Sequence, residues 1–160
     1  MCDHRISRRH FLGLVPGLAL VASGCGQGNT GPGEVKWGRD TCDYCGMMID
    51  DPHFAAQIRA GANHKLYKFD DLGDAVLFLV KQGWAGDPSV EFWVGGLETG
   101  QWMDGAKAYY IGGQRTPMGH GYGAVAAPRE GGLDFAALKV AVLAKGSTSR
   151  CEPGSVGGQG

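Results

Sequence analysis

The sequence predicts an α+β fold, and three observations carry that expectation. Two short runs, Phe54-Ala55-Ala56-Gln57-Ile58-Arg59 and His64-Lys65-Leu66-Tyr67-Lys68-Phe69, flank a turn at Gly61-Ala62-Asn63 and read as paired strands. A segment of helical period follows at once, with Leu72, Ala75, Val76, Leu79 and Val80 on one face. The second half has a similar succession of strands closed by a helix. Two similar small strand-strand-helix units packed together are the economical topology.

The elements follow in chain order. Asp70 or Asp71 supplies the N-cap of the first helix, and Gly83 is expected to end it. Val90-Glu91-Phe92-Trp93-Val94 and Ala106-Lys107-Ala108-Tyr109-Tyr110-Ile111 read as strands, and residues 122–127 as a third. The last helix is predicted from Leu133 to Ala144, with Phe135, Leu138 and Val142 turned inward. Aspartates in the first helical turn, including Asp74, are explained by capping and by the helix dipole.

The ends of the chain have a different character. Ser7-Arg8-Arg9-His10-Phe11-Leu12 is a twin-arginine stretch, and the apolar run Leu14 to Ala22 is too short to span a bilayer. The pair reads as an export signal of the kind used by folded proteins. Ala22-Ser23-Gly24-Cys25 then resembles a lipoprotein processing site with Cys25 as the lipidated residue; an ordinary signal peptide cut after small residues is the alternative. Residues 1–24 are therefore expected to be a signal peptide, 25–35 a flexible glycine-rich tether, 36–145 the domain, and 146–160 a disordered tail. The expected location is the periplasmic side of a bacterial cell envelope, lipid-anchored to a membrane.

Charge excludes one class of partner. Residues 36–144 hold thirteen acids and ten bases, a net charge of −3, with no basic stripe for nucleic acid. Of the five cysteines, Cys2 and Cys25 belong to the leader and its processing site, and Cys151 lies in the glycine-rich tail. Cys42 and Cys45 remain for the domain.

Those two cysteines open the segment with the most chemistry, Asp40-Thr41-Cys42-Asp43-Tyr44-Cys45-Gly46-Met47-Met48. A second segment, Thr116-Pro117-Met118-Gly119-His120-Gly121, places a methionine beside a histidine. Thiolate, thioether and imidazole form the donor set of a soft d10 ion, Cu(I). Zinc accepts cysteine and histidine but has little use for methionine. The candidate ligands are Cys45, Met47, Met118 and His120, with Cys42 and Met48 added. Cys42 reads equally as a second ligand or as a neighbour guarding Cys45 through a reversible disulfide, and Met48 equally as ligand or core filler. Electron-transfer copper is excluded, because no short Cys-His-Met loop is present.

Cys-Asp-Tyr-Cys-Gly-Met-Met-Ile-Asp, Phe-Ala-Ala-Gln, Lys-Phe-Asp-Asp-Leu-Gly-Asp and Thr-Pro-Met-Gly together resemble the NosL family, from about Asp40 to the last helix. The resemblance implies a fold related to that of organomercurial lyase. It also implies a non-enzymatic Cu(I) metallochaperone that supplies nitrous-oxide reductase with the help of an ABC-type assembly complex. It carries Cys45 and Met47 over as ligands. Two other functions remain open on the residues: a thiol-disulfide oxidoreductase using Cys42 and Cys45, and a zinc-binding structural module.

Overall fold

The computed structural model describes residues 30–146; the segment expected to be a signal peptide, Cys25, Cys151 and the residues beyond Gly146 lie outside the described residues. The chain runs β1 (Ala56–Ala60), β2 (Lys65–Phe69), α1 (Leu72–Val80), β3 (Glu91–Gly95), β4 (Trp102–Asp104), β5 (Tyr109–Ile111), β6 (Gly123–Val125) and α2 (Phe135–Lys145). The first four strands form one antiparallel sheet in the order β2-β1-β3-β4, and β5 pairs with β6. A parallel bridge between Gly96 and Ala124 links the two. The α+β class is thus observed.

Strand pairing differs from the sequence expectation in one respect. A hairpin followed by a helix does occur twice, as β1-β2-α1 and β5-β6-α2. The strand expected to open the second unit, β3, instead pairs with β1, Ala56 opposite Val94 and Ile58 opposite Phe92. Alternating apolar residues specify which face of a strand is buried but not which neighbour it joins. The short strand β4 pairs with β3, Met103 opposite Val94, at the edge of this sheet.

β1 lies between two neighbours and is covered on both faces. Ala56, Ile58 and Ala60 are buried in the core, where α1 packs on β1 and β2. Gln57 points the other way yet is also fully buried. Its amide is satisfied by Gly33, whose N–H it accepts at 2.7 Å and to whose carbonyl it donates at 2.9 Å. Arg59, on the same face, donates to the carbonyl of Gly31. The stretch 31–35, expected as part of a free tether, is therefore laid across this sheet, with Val35 buried. Glycine suits the position, because a Cβ on Gly33 would fall 2.4 Å from Leu66 Cδ2.

α1 is the centre of the molecule. Its residues 72–77 and Leu79 are all buried, so it is enclosed on every side rather than along one stripe. Asp71 is its N-cap, accepting from Gly73 N. Asp74, one turn in, is fully buried within this apolar helix. A buried carboxylate needs partners, and those partners define the site.

Candidate metal centre

The cysteine segment is a tight loop. Cys42 N–H donates to Met47 O at 2.8 Å and Gly46 N–H to Cys42 O at 3.0 Å, while Thr41 and Met48 form an antiparallel bridge. Gly46 has φ 75°, the left-handed conformation that lets the chain reverse between Cys45 and Met47. Asp43 fastens the loop to β2, donating through its N–H to Lys68 O and accepting from Lys68 N at 2.7 Å. The loop is thereby held beside the end of β2, where Asp70 begins the approach to α1.

Four side chains converge there. Cys45 Sγ lies 3.3 Å from Asp70 Oδ1, and Cys42 Sγ lies 3.7 Å from Asp74 Oδ2. One ligand atom from each of Cys42, Cys45, Asp70 and Asp74 falls within 4.8 Å of the others, close enough to share an ion. Cys42, Asp70 and Asp74 are buried, and Cys45 is half-buried. Burial pushes the Cys42 thiol up to about 12 and the Cys45 thiol far above its ordinary range. Burial also raises Asp70, against the pull of the two neighbouring thiols. Both sulfurs are thus thiols that donate to carboxylates, and a cation would replace their protons.

The second segment meets the first through α1. His120 is fully enclosed, and its Nε2 lies 2.9 Å from Asp74 Oδ1, so Asp74 stands between Cys42 and His120. His120 Nδ1 has no hydrogen-bond partner among the described residues. His120 is thus tied to the cluster through Asp74 but is not itself one of the four side chains whose ligand atoms converge. His120 lies flat on the first helical turn: a Cβ on Gly73 would fall 2.1 Å from its Cγ. Only glycine at position 73 admits it.

The methionines are placed differently. Met47 is 57% and Met48 53% exposed, which removes the core-filler reading of Met48. Both line an open cleft of about 460 Å³ together with Asp70, Arg115, Thr116 and Pro117. The two predicted loops therefore border one cleft, and Asp70 belongs both to the cleft and to the four-residue cluster. Met118 is half-buried, and its N–H donates to Asp71 Oδ2 at 3.1 Å.

Sequence reasoning missed Asp70 and Asp74 as site residues. The available signal was Asp74 inside Leu72-Gly73-Asp74-Ala75-Val76-Leu77-Phe78-Leu79-Val80, a segment otherwise without polar side chains. Capping explains Asp71, but it leaves a carboxylate one turn into a buried helix without a role. A thiol-disulfide enzyme is disfavoured by the same geometry. Such enzymes lower the pKa of the attacking thiol, whereas burial and neighbouring carboxylates here raise both.

No protein-family model and no curated protein sequence matches the chain. Among solved structures, it is similar to the crystal structure of the copper chaperone NosL from Shewanella denitrificans, with a TM-score of 0.51 and 16% sequence identity. The likeness covers 66% of this chain and 93% of that one. At such identity the likeness is one of architecture, and the fold of this chain is NosL-like.

Proposed function

We propose that the protein is a Cu(I)-binding metallochaperone, a carrier and not a catalyst. The single observation behind this reading is the pair of thiols, Cys42 and Cys45, gathered with Asp70, which also lines a cleft bearing two exposed methionines. The NosL-like fold agrees with it, since the similar solved structure is a copper chaperone. Cys42 and Cys45 supply soft anionic donors, while Met47, Met48 and Met118 offer neutral thioethers that favour Cu(I). His120, held by Asp74, supplies a nitrogen. An ion bound at a cleft with exposed donors can be reached by an acceptor's own ligands, which a carrier requires.

We extend the reading to the setting that the leader implies. The mature protein is anchored by lipid on Cys25 at the periplasmic side of the envelope, and it delivers copper to nitrous-oxide reductase with an ABC-type assembly complex. The two hairpin-helix units are read as a pair related to those of organomercurial lyase. Cys25→Ser should release the protein from membranes or leave it unprocessed, as read by fractionation and by fatty-acid labelling. Fatty acid on the serine variant would rule out the anchor.

One observation favours a second reading. Two cysteines and two aspartates form a set that also suits zinc. Metal analysis of protein purified anaerobically from cells, followed by Cu(I) titration against a competing chelator, separates the two. Copper binding near one ion per chain, displacing any zinc, is expected. Stoichiometric zinc retained against Cu(I) would overturn the copper reading.

A further inference from the structure

The loop carrying Met118 and His120 belongs to no strand, yet it is held against α1. Most of that restraint passes through one residue. Asp71 is fully buried, and its Oδ1 accepts from Gly73 N at 2.9 Å, which caps the helix. Its Oδ2 accepts from the Thr116 hydroxyl at 2.6 Å and from Met118 N at 3.1 Å. The Thr116 oxygen in turn accepts from Gly121 N at 3.1 Å. One carboxylate therefore starts the helix and ties down both ends of the loop.

The other restraints act elsewhere. Asp74 fixes the ring of His120, and Lys145 Nζ donates to the carbonyls of Gly119 and His120. Neither of these bonds reaches Met118. Gly119 and Gly121, with φ of 73° and 86°, leave the chain free to swivel on either side of His120. Within the loop, Gly119 N donates to Thr116 O and Gln114 N to Gly121 O, which hold its shape; the Asp71 bonds add its attachment to the start of α1.

We infer that Asp71 is a positioning residue of the metal site: it docks the Met118–His120 loop against the cysteine loop through Thr116 without itself touching the ion. The inference rests on the proposal above that this loop supplies ligands. Asp71→Asn offers one oxygen where two were needed. In either orientation of the amide it loses the cap bond or the pair to Thr116 and Met118. Thr116→Val removes the hydroxyl and spares the helix cap, and Thr116→Ser keeps the hydroxyl.

The test uses the full chain in two states. In the metal-free protein, hydrogen exchange should rise about tenfold or more at the Met118 amide in Asp71→Asn and at the Gly121 amide in Thr116→Val, the effect of losing roughly one hydrogen bond at each. Thr116→Ser should remain near the parent. In the copper-loaded protein, the same two variants should bind Cu(I) about tenfold to a hundredfold more weakly, as loss of an orienting partner does. X-ray absorption should show the two thiolate sulfurs retained and the downstream donor lost. If Asp71→Asn does not fold, Thr116→Val decides alone. Parental exchange at the Gly121 amide in Thr116→Val, or an unchanged copper shell there, would overturn the inference. A parental copper shell indifferent to both Met118→Leu and His120→Ala would overturn the ligand reading beneath it, and these two variants tell that failure apart.

Discussion

Cys45→Ser should weaken Cu(I) binding roughly a hundredfold to a thousandfold, and the double variant Cys42→Ser/Cys45→Ser should bind no copper tightly. The magnitude follows from apportioning a thiolate-imidazole site. With the about 10–16 kcal/mol of a structural zinc site as the guide, four ligands share it at about 2.5–4 kcal/mol each, and every 1.4 kcal/mol is a factor of ten. A hydroxyl is a poor donor to a soft ion, so serine keeps the size and removes the chemistry. The two single variants should differ in stability. Cys42 is 4% exposed and packs within the hydrophobic core, whereas Cys45 is only half-buried at its edge. Cys45→Ser should therefore unfold near the parental temperature, and Cys42→Ser measurably lower. Anaerobic chelator competition measures the affinity and thermal unfolding supplies the control. Parental affinity in Cys45→Ser would remove the cysteine loop from the site.

The elements that were legible in the sequence are those whose signal is local. α1 was marked by its apolar period and by Asp71, which is the N-cap. α2 was marked by Leu138 and Val142, both fully buried. The hairpin β1-β2 followed from two alternating runs about a turn, and its register opposes Ile58 to Tyr67. The pairing of β3 with β1 was not legible, because Phe92 and Val94 alternate equally well beside any partner. Nor was the docking of 31–35: a glycine-rich stretch reads as a tether until the amide of Gln57 supplies the bonds that hold it. The cysteine, methionine and histidine positions stood out by residue type alone. Asp70 and Asp74 did not, because acids at a helix start satisfy capping as readily as chemistry. Only the fastening of the cysteine loop to Lys68 brings the thiols within reach of them. Ligand type is written in the sequence, but convergence depends on long-range hydrogen bonds.

Copper affinity should climb steeply with pH, by up to about a hundredfold per unit between roughly pH 6 and 8. Coordination requires thiolate, and in the metal-free protein both sulfurs are protonated well above neutrality, Cys42 up to about 12 and Cys45 further still. Each thiol that binds copper releases a proton, and each proton released multiplies the apparent affinity tenfold per pH unit. The direction is fixed by burial, the largest cause of both shifts, which penalises the anion until a cation arrives to neutralise it. The metal-free fold should show the opposite response. Cys42 has a folded value raised above the ordinary 9.0. Its contribution to stability is therefore complete below that pH and is lost as pH rises toward about 12, because the unfolded chain ionises first. Alkali should thus weaken the empty protein while it strengthens copper binding. Chelator competition at several pH values, corrected for the chelator's own titration, measures the first trend, and denaturant unfolding from pH 8 to 11 measures the second. Cys45→Ser should reduce the slope of the affinity by about one proton, because one thiol then remains to ionise. A pH-independent affinity in the parent would mean that copper is held by the thioethers and the imidazole, with Cys42 and Cys45 left protonated against Asp74 and Asp70.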